Sequence, residues 1–454
     1  MKILLVRPAP DPETIGLQHV MLVEPMELEI LAGLAAPGDR PVILDMVLER
    51  KPFEYFLNLH QPDVLCVTGY ITNVPEMIAL CRTAKRILPS VKTIAGGVHV
   101  EVCPEDLDDP AVDFRVVRNA VTVFPLLLDH LKGSGDLPPA VFRPGERVEP
   151  HTLPEFDFAY SRPLRNLTDR YRKEYFYIFH HRVALIKTSF GCPYKCTFCF
   201  CRRITDDKYH VRPMDEVLDE LQDIREREIY IVDDDFLCSR NRVEAFIDGC
   251  IRRKIRKHFL LYGRADFIAA NPDIMKRFRK IGLRTVIVGF ESFSDEELEE
   301  YDKGITSAVN KEAMSILNRL SICCYATIIL PARWSRAEFD ECGRRFRELG
   351  IRFVNLQPIT PLPGTGFEAD KDSLVIDKKD FPKWDLAHVT VRPEKMSVAD
   401  YYGEILRLYM KTLFRPAMLP GYFKYPPHRL VKMLVGSFRV TRQYEQKKRD
   451  ARHA

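Results

Sequence analysis

The chain has 454 residues, 46% apolar and 29% charged, which suits about two to four ordinary domains and excludes a disordered polymer. Lys and Arg number 68 and Asp and Glu 64, a net charge of +4, so whole-chain charge gives no argument for nucleic acid, and none is expected as a partner. No uncharged apolar run reaches the ~18–20 residues of a transmembrane segment, and the run after Met1 meets Arg7 and Pro8 too soon for a signal peptide.

A cytoplasmic location is therefore expected, where twelve Cys will not form a disulfide framework. Over residues 1–133, strand and helix alternate. Strands are predicted at 2–6, 41–45, 63–68 and 91–96, and helices at 24–36, 52–60 and 75–88. Continuous apolar strands between helices imply an α/β domain with a parallel sheet covered on both faces. Ligands of such sheets sit at the carboxyl ends of the strands. Those ends carry Arg7-Pro8, Asp45, Thr68-Gly69 and Gly96-Gly97-Val98-His99.

Breakers at Gly133-Ser-Gly-Asp, Pro138-Pro139 and Pro144-Gly145 mark residues 134–181 as a linker. Residues 182–375 resume the alternation. Strands are predicted at 183–188, 229–233, 259–263, 285–290, 325–330 and 353–358. Helices are predicted at 213–227, 240–254, 272–281, 308–320 and 336–349. Six β/α units suggest an open or partial barrel. Residues 376–454 form a small helical region with patterns near 397–413 and 426–436. A basic tail follows, Arg439, Arg442, Lys447, Lys448, Arg449 and Arg452, expected to be a solvated, frayed end. The aromatic, Pro-rich stretch 413–426 reads as a packed connector, with a lipid or tetrapyrrole pocket or a membrane contact as the alternative.

One cluster of cysteines carries chemistry. Residues 190–201 read Phe-Gly-Cys192-Pro-Tyr-Lys-Cys196-Thr-Phe198-Cys199-Phe-Cys201, directly after the first strand of the second domain. Three thiolates at spacings of four and three can converge on one metal centre, and thiolate-only sets suit iron–sulfur or zinc. A closed zinc site wants four ligands, and Cys201 follows Cys199 by only two residues. A [4Fe–4S] cluster held by three Cys leaves one iron open.

The loop resembles that of radical S-adenosylmethionine (SAM) enzymes. Val232-Asp-Asp-Asp235-Phe, Tyr262-Gly-Arg264-Ala-Asp266, Val288-Gly289-Phe-Glu291-Ser292 and Pro361-Leu-Pro363-Gly364-Thr365 match the family's later strands in order. The resemblance implies that Cys192, Cys196 and Cys199 hold a [4Fe–4S] cluster whose open iron binds SAM. It assigns Phe198, Asp233, Asp234, Asp235, Arg264, Glu291 and Ser292 to SAM. Ile328 and Leu330 would supply apolar contact to adenine, where this chain lacks the family's glycine-rich stretch.

The first domain resembles the Rossmann-like (flavodoxin-like) cobalamin-binding module of one large radical SAM class. By that resemblance Asp45, Thr68, Gly69, Gly96, Gly97 and His99 would contact cobalamin. Asp11-Pro-Glu13-Thr-Ile-Gly16 has Glu where cobalt-ligating modules have His, and Arg118-Asn119-Ala120-Val121-Thr122 lacks the usual glycines. His19 reads as a loop residue. The resemblance implies a cobalamin-dependent methyltransferase acting on an unactivated carbon of a small molecule or lipid. An electron donor such as flavodoxin or ferredoxin would serve it. Radical oxidation or cyclisation without methyl transfer is the alternative, and an iron–sulfur redox or binding protein without SAM turnover is the second.

Overall fold

A computed structural model describes residues 1–15, 20–201, 203–413 and 427–453. The first sheet has six strands: β1 (Lys2–Arg7), β2 (Arg40–Asp45), β3 (Val64–Thr68), β4 (Lys92–Gly96), β5 (Phe114–Val116) and β6 (Val141–Phe142). Their spatial order is β2-β1-β3-β4-β5-β6, parallel except for β6. The order reverses between β1 and β3, the point where open α/β sheets bind ligands. Helices α1 (Met26–Gly33), α2 (Phe53–His60), α3 (Val74–Ile87), α4 (Val98–Val102) and α5 (Ala120–Leu131) cover both faces. Two apolar clusters, one on each face, bury Leu4, Val6, Leu65 and Val67 on one side and Ile3, Leu5, Val64 and Cys66 on the other. Alternate residues of one strand thus feed opposite cores.

The stretch expected to be a linker is built in. Residues 141–142 add the sixth strand, and a hairpin of Phe176–Tyr177 and His180–His181 pairs with Met21–Leu22. It also closes a buried charge network. Glu24 accepts from Arg165, from Arg172 and, at 2.6 Å, from the Leu185 amide. Arg165 also reaches Glu220 at 3.0 Å, and Arg212 reaches the other oxygen of Glu220 at 2.9 Å.

The second sheet pairs its six strands in chain order, all parallel: β7 (Val183–Ile186), β8 (Glu228–Ile231), β9 (His258–Gly263), β10 (Leu283–Glu291), β11 (Cys323–Leu330) and β12 (Phe353–Pro358). Among the described residues β12 does not pair with β7, so the barrel is open on one side. Its outer helices are α6 (Met214–Asp223), α7 (Arg240–Arg252), α8 (Ala265–Ala270), α9 (Pro272–Ile281), α10 (Asp295–Glu300), α11 (Ser307–Arg319) and α12 (Arg336–Glu348). The short α8 and α10 were not foreseen; six residues carry too little periodicity to read.

The sequence places Ile328 and Leu330 at an adenine wall, but strand parity overturns this. Both are fully buried against the outer helices with Cys324 and Ala326. Residues one position away, Tyr325 among them, face the barrel interior.

Two C-terminal helices close the chain, α13 (Val398–Leu413) and α14 (Pro427–His453). The tail expected to fray is helical to His453. Its Lys447 pairs with Glu13 at 2.8 Å, and Tyr444 is buried against α13. Gly16, His19 and the connector 414–426 lie outside the described residues. Among the described residues, no helix is long and apolar enough to cross a membrane.

Candidate active site

The cysteine loop leaves the carboxyl end of β7 through a two-residue ladder, Ser189–Phe190 against His210–Val211, which pinches its neck. Gly191 sits there at φ +71°, and a Cβ would stand 2.2 Å from the Lys208 carbonyl, so only glycine closes the neck. Asp233, buried at the end of β8, braces the same neck. Its carboxylate accepts from the Thr188 amide at 2.6 Å, the Thr188 hydroxyl at 2.5 Å and the Ser189 hydroxyl at 2.7 Å. Further along, Thr197 is held by the Tyr301 carbonyl at 3.1 Å and by the Gly366 amide at 2.7 Å.

The three cysteines share one neighbourhood: Cys192 and Cys196 each feel the charge of Cys199. Burial pushes the Cys192 thiol up to about 12. Burial also raises Cys196, against the pull of Lys303 and Arg264. A hydrogen bond from Cys201 holds Cys199 below its ordinary value. Arg264 stacks on the Tyr194 ring at 3.6 Å and points Nη1 at Cys196 Sγ, 3.7 Å away. Its other donors go to Asp266 and to the Lys303 carbonyl at 2.6 Å. The guanidinium is therefore already braced on protein partners beside the thiolates.

Lys303, missed in the sequence, is buried and paired with Glu291 at 3.0 Å, with its ammonium 5.6 Å from the centre of the Phe198 ring. Glu291 adopts φ +60° at the bulge in β10 and folds back over Gly289, where a Cβ would stand 2.3 Å from Glu291 Oε1. The Phe198 ring meets Tyr301 edge-on at 6.0 Å. The Ser292 hydroxyl is already committed, donating to Glu297 and accepting from the Ser294 amide.

The acidic run after β8 divides into three environments. Asp233 is spent on the loop neck. Asp234 remains partly accessible, near Cys201. Burial pushes Asp235 up to about 7, although Arg264 favours its charged form. Its Oδ1 accepts from the Leu237 amide, while Oδ2 is buried with no partner. A buried, unpartnered carboxyl oxygen near Cys192 fits a cationic ligand group such as an amine.

In the first domain, Thr68, Gly69, Gly96 and Gly97 line a cavity of about 300 Å³, with Leu28, Ile94, Val121 and Phe124 adding an apolar wall. A Cβ on Gly96 would approach nothing closer than 3.9 Å, so this residue leaves open space for a bound group. Gly97 serves packing: at φ +99° a Cβ would strike Thr68 Oγ1 at 2.5 Å. Two expected residues are not in this wall. Asp45 is fully buried, paired to Arg7 and hydrogen-bonded by Tyr175 at 3.2 Å. His99 is turned away by the first turn of α4, onto Asp106 at 2.9 Å and the edge of Phe381. Asn119, at φ +56°, makes a left-handed turn before α5 without glycine.

A second cavity, about 770 Å³, runs from Glu101 and Arg118 to Cys196, Thr197 and Cys199. Glu101 lines both cavities, and burial pushes its carboxyl up to about 8, opposed by Arg118 and Lys187. Tyr70 is 62% and Tyr262 37% accessible, and desolvation by the surrounding protein, then charges near the cysteine loop, raise both phenols. Burial raises the Tyr70 phenol to about 12, with Glu27, Tyr262, Cys201 and Asp234 contributing. The cavity at the carboxyl ends of the first sheet and the one beside the cysteine loop thus share Glu101 as a wall.

Comparison with known proteins accounts for both sheets. Residues 186–346 match the Radical SAM superfamily and residues 14–128 the B12 binding domain. The chain carries a radical SAM domain after an N-terminal B12 binding domain. The hopanoid C-3 methylase of Methylococcus capsulatus is 29% identical over 416 residues, covering 90% of this chain and 79% of the relative. The anaerobic magnesium-protoporphyrin IX monomethyl ester cyclase of Rubrivivax gelatinosus is 24% identical, covering 81% and 68%. Among solved structures, the radical SAM methyltransferase TsrM of Kitasatospora setae, with cobalamin and a [4Fe–4S] cluster bound, superposes with a TM-score of 0.69 at 17% identity. It covers 100% of this chain and 99% of that one. The cobalamin-dependent radical SAM enzyme OxsB gives 0.67 at 14% identity, covering 95% and 72%. At those identities the likeness is one of fold.

The cofactors of this architecture are a [4Fe–4S] cluster, SAM and cobalamin, and the residues present fit them. Two buried cations flank Cys196, Asp235 offers an unpartnered carboxyl oxygen, and Gly96 leaves a cradle that a Cβ would fill. Sequence reasoning missed Lys303, Tyr194, Tyr70, Glu27 and Glu101. Only Tyr70 and Tyr194 carried a local signal, standing beside Gly69 and inside the cysteine loop.

Proposed function

We propose that this radical SAM enzyme is a cobalamin-dependent methyltransferase acting on an unactivated carbon of a small molecule or lipid. The observation that carries this reading is that two neighbouring cavities share Glu101 as a wall: one is lined by the strand-end glycines of the B12 binding domain, the other by Cys196 and Cys199. When bound, the cluster supplies the electron that splits SAM to the 5′-deoxyadenosyl radical, and cobalamin supplies the methyl group. Cys192, Cys196 and Cys199 hold the cluster, and Arg264 and Lys303 offset its charge.

Asp235 and Asp234 receive the SAM amino group, and Phe198 and Glu291 border the rest of the molecule. Asp233 and Ser292 act one step back, bracing the loop and the end of β10. Thr68, Gly69, Gly96 and Gly97 seat cobalamin. Tyr70, Tyr262 and Tyr325 stand on the side where substrate would lie, and a bound substrate would cover their accessible faces and shield the site from water. An external one-electron donor such as flavodoxin or ferredoxin completes the system. A cytoplasmic setting keeps all twelve Cys reduced.

The test is anaerobic reconstitution, metal analysis, and turnover with SAM labelled in its methyl group. Cobalt near one per chain, 5′-deoxyadenosine formation and label in cobalamin support the proposal. 5′-Deoxyadenosine without label transfer would favour radical oxidation or cyclisation, the chemistry in the cyclase relative's name.

A further inference from the structure

Among the described residues, the first half of α14 carries an apolar stripe that nothing covers. Val431, Leu434, Val435 and Phe438 are 59%, 51%, 45% and 69% exposed. Their spacing of i, i+3, i+4 and i+7 places them on one helix face. The opposite face holds the helix to the protein: Tyr444 is buried between Tyr402 and Tyr409, and Val440 packs on the same core. Single exposed apolar residues are ordinary; four aligned on one helix are a patch that requires a partner.

The charge beside the stripe identifies the partner. Residues 427–442 include Arg429, Lys432, Arg439 and Arg442 and no Asp or Glu, in a chain whose acids and bases nearly balance. Arg439 and Arg442 are exposed. In two copies of this face Arg439 and Arg442, both exposed beside the stripe, would repel one another, which disfavours a dimer across it. An amphipathic helix with an apolar stripe and a basic flank matches an anionic bilayer surface, lying in its plane. The same helix is tied to the loop after β1: Gln443 donates to the Thr14 carbonyl at 3.1 Å and Lys447 to Glu13. That loop leaves the carboxyl end of the first sheet, the edge at which both cavities open.

We propose that α14 seats the enzyme on an anionic phospholipid surface through Val431, Leu434, Val435 and Phe438, with Arg439 and Arg442 on the headgroups. This stands independently of the methyl-transfer reading. The reconstituted full-length enzyme is floated with vesicles of phosphatidylglycerol or of phosphatidylcholine. Binding is expected to the former and not the latter, and to weaken as salt rises. The double variant Leu434→Glu/Phe438→Glu and, separately, Arg439→Glu/Arg442→Glu are each expected to bind about tenfold or more weakly. The second pair lies on the solvent side, so its far-UV spectrum, cluster absorbance and SAM cleavage without vesicles should match wild type. The indole introduced by Phe438→Trp should emit as a solvated group in the protein alone and shift to the blue on phosphatidylglycerol. No flotation, equal flotation on both lipids, flotation unchanged in either double variant, or an introduced indole that already emits to the blue without vesicles overturns the proposal. A concentration-dependent dimer abolished by Phe438→Glu does so as well.

Discussion

Replacing Asp233 separates bracing the cysteine loop from touching SAM. Its buried carboxylate accepts three hydrogen bonds, two from Thr188 and one from Ser189, at 2.5–2.7 Å. Hydrogen bonds to a charged acceptor are each worth about 1.5–3 kcal/mol, and a buried donor left without a partner costs about 1–3 kcal/mol. Asp233→Ala loses all three and strands buried donors at the neck of the loop. Since the three share one acceptor and do not add fully, the expected loss is about 4–6 kcal/mol. For a unit of this size that lowers the melting temperature by on the order of 10–15 °C. Asp233→Asn keeps one acceptor oxygen and should lose roughly half as much. Thermal melting of the anaerobic apoprotein measures this, and iron content after reconstitution reports whether the loop still assembles. A variant that melts within ~2 °C of wild type, keeps its iron and loses only SAM affinity would refute the bracing argument and make Asp233 a SAM contact.

Lys303→Met leaves Glu291 buried without its partner, and should cost about 3–5 kcal/mol and lower SAM cleavage; urea unfolding and 5′-deoxyadenosine release measure the two. Gly96→Leu should keep the fold, because a Cβ there is free to 3.9 Å, while cobalt per chain falls severalfold by metal analysis. Gly191→Ala should abolish cluster assembly, because its Cβ meets a backbone carbonyl at 2.2 Å; the cluster absorbance would be missing after reconstitution. Glu101 takes up its proton more readily folded, at about 8, than unfolded, near 4.5. Its contribution to stability is therefore largest at low pH and is lost as pH rises between about 5 and 8. Melting curves of Glu101→Gln should fall less steeply across that window than those of wild type.

Twelve strands that build the two main sheets reduce to ten that were readable and two that were not. The ten are continuous apolar runs flanked by turn residues. Phe114–Val116 contains Arg115, and Val141–Phe142 lies among prolines, so neither has the pattern of a buried strand. The cysteine loop was legible because its ligands are close in sequence. Lys303 was not, because its pairing with Glu291 depends on β10 folding back at a bulge. Parity decided the errors. Asp45 ends β2 in register with Arg7 on β1, and the two neutralise each other inside the fold. On α4, Val98 and Glu101 lie at i and i+3 and face the cavity, and His99, about 100° around the helix, faces away. Naming the right strand end did not say which side of it each residue occupies.

The charge network of Glu24, Glu29, Arg165, Arg172, Arg212 and Glu220 restricts how this protein can be recombined. Its members come from three stretches of chain, near 24–29, 165–172 and 212–220, and are all largely shielded from water. A chimera that imports a foreign cobalamin module for residues 1–133 alone would strip Glu24 and Glu29 from Arg165 and Arg172, leaving Arg165 only Glu220 and Arg172 only Glu226 in a largely dry seam. Viable grafts should carry the buckle through about residue 181 along with the module, so the unit of inheritance is longer than the unit of fold.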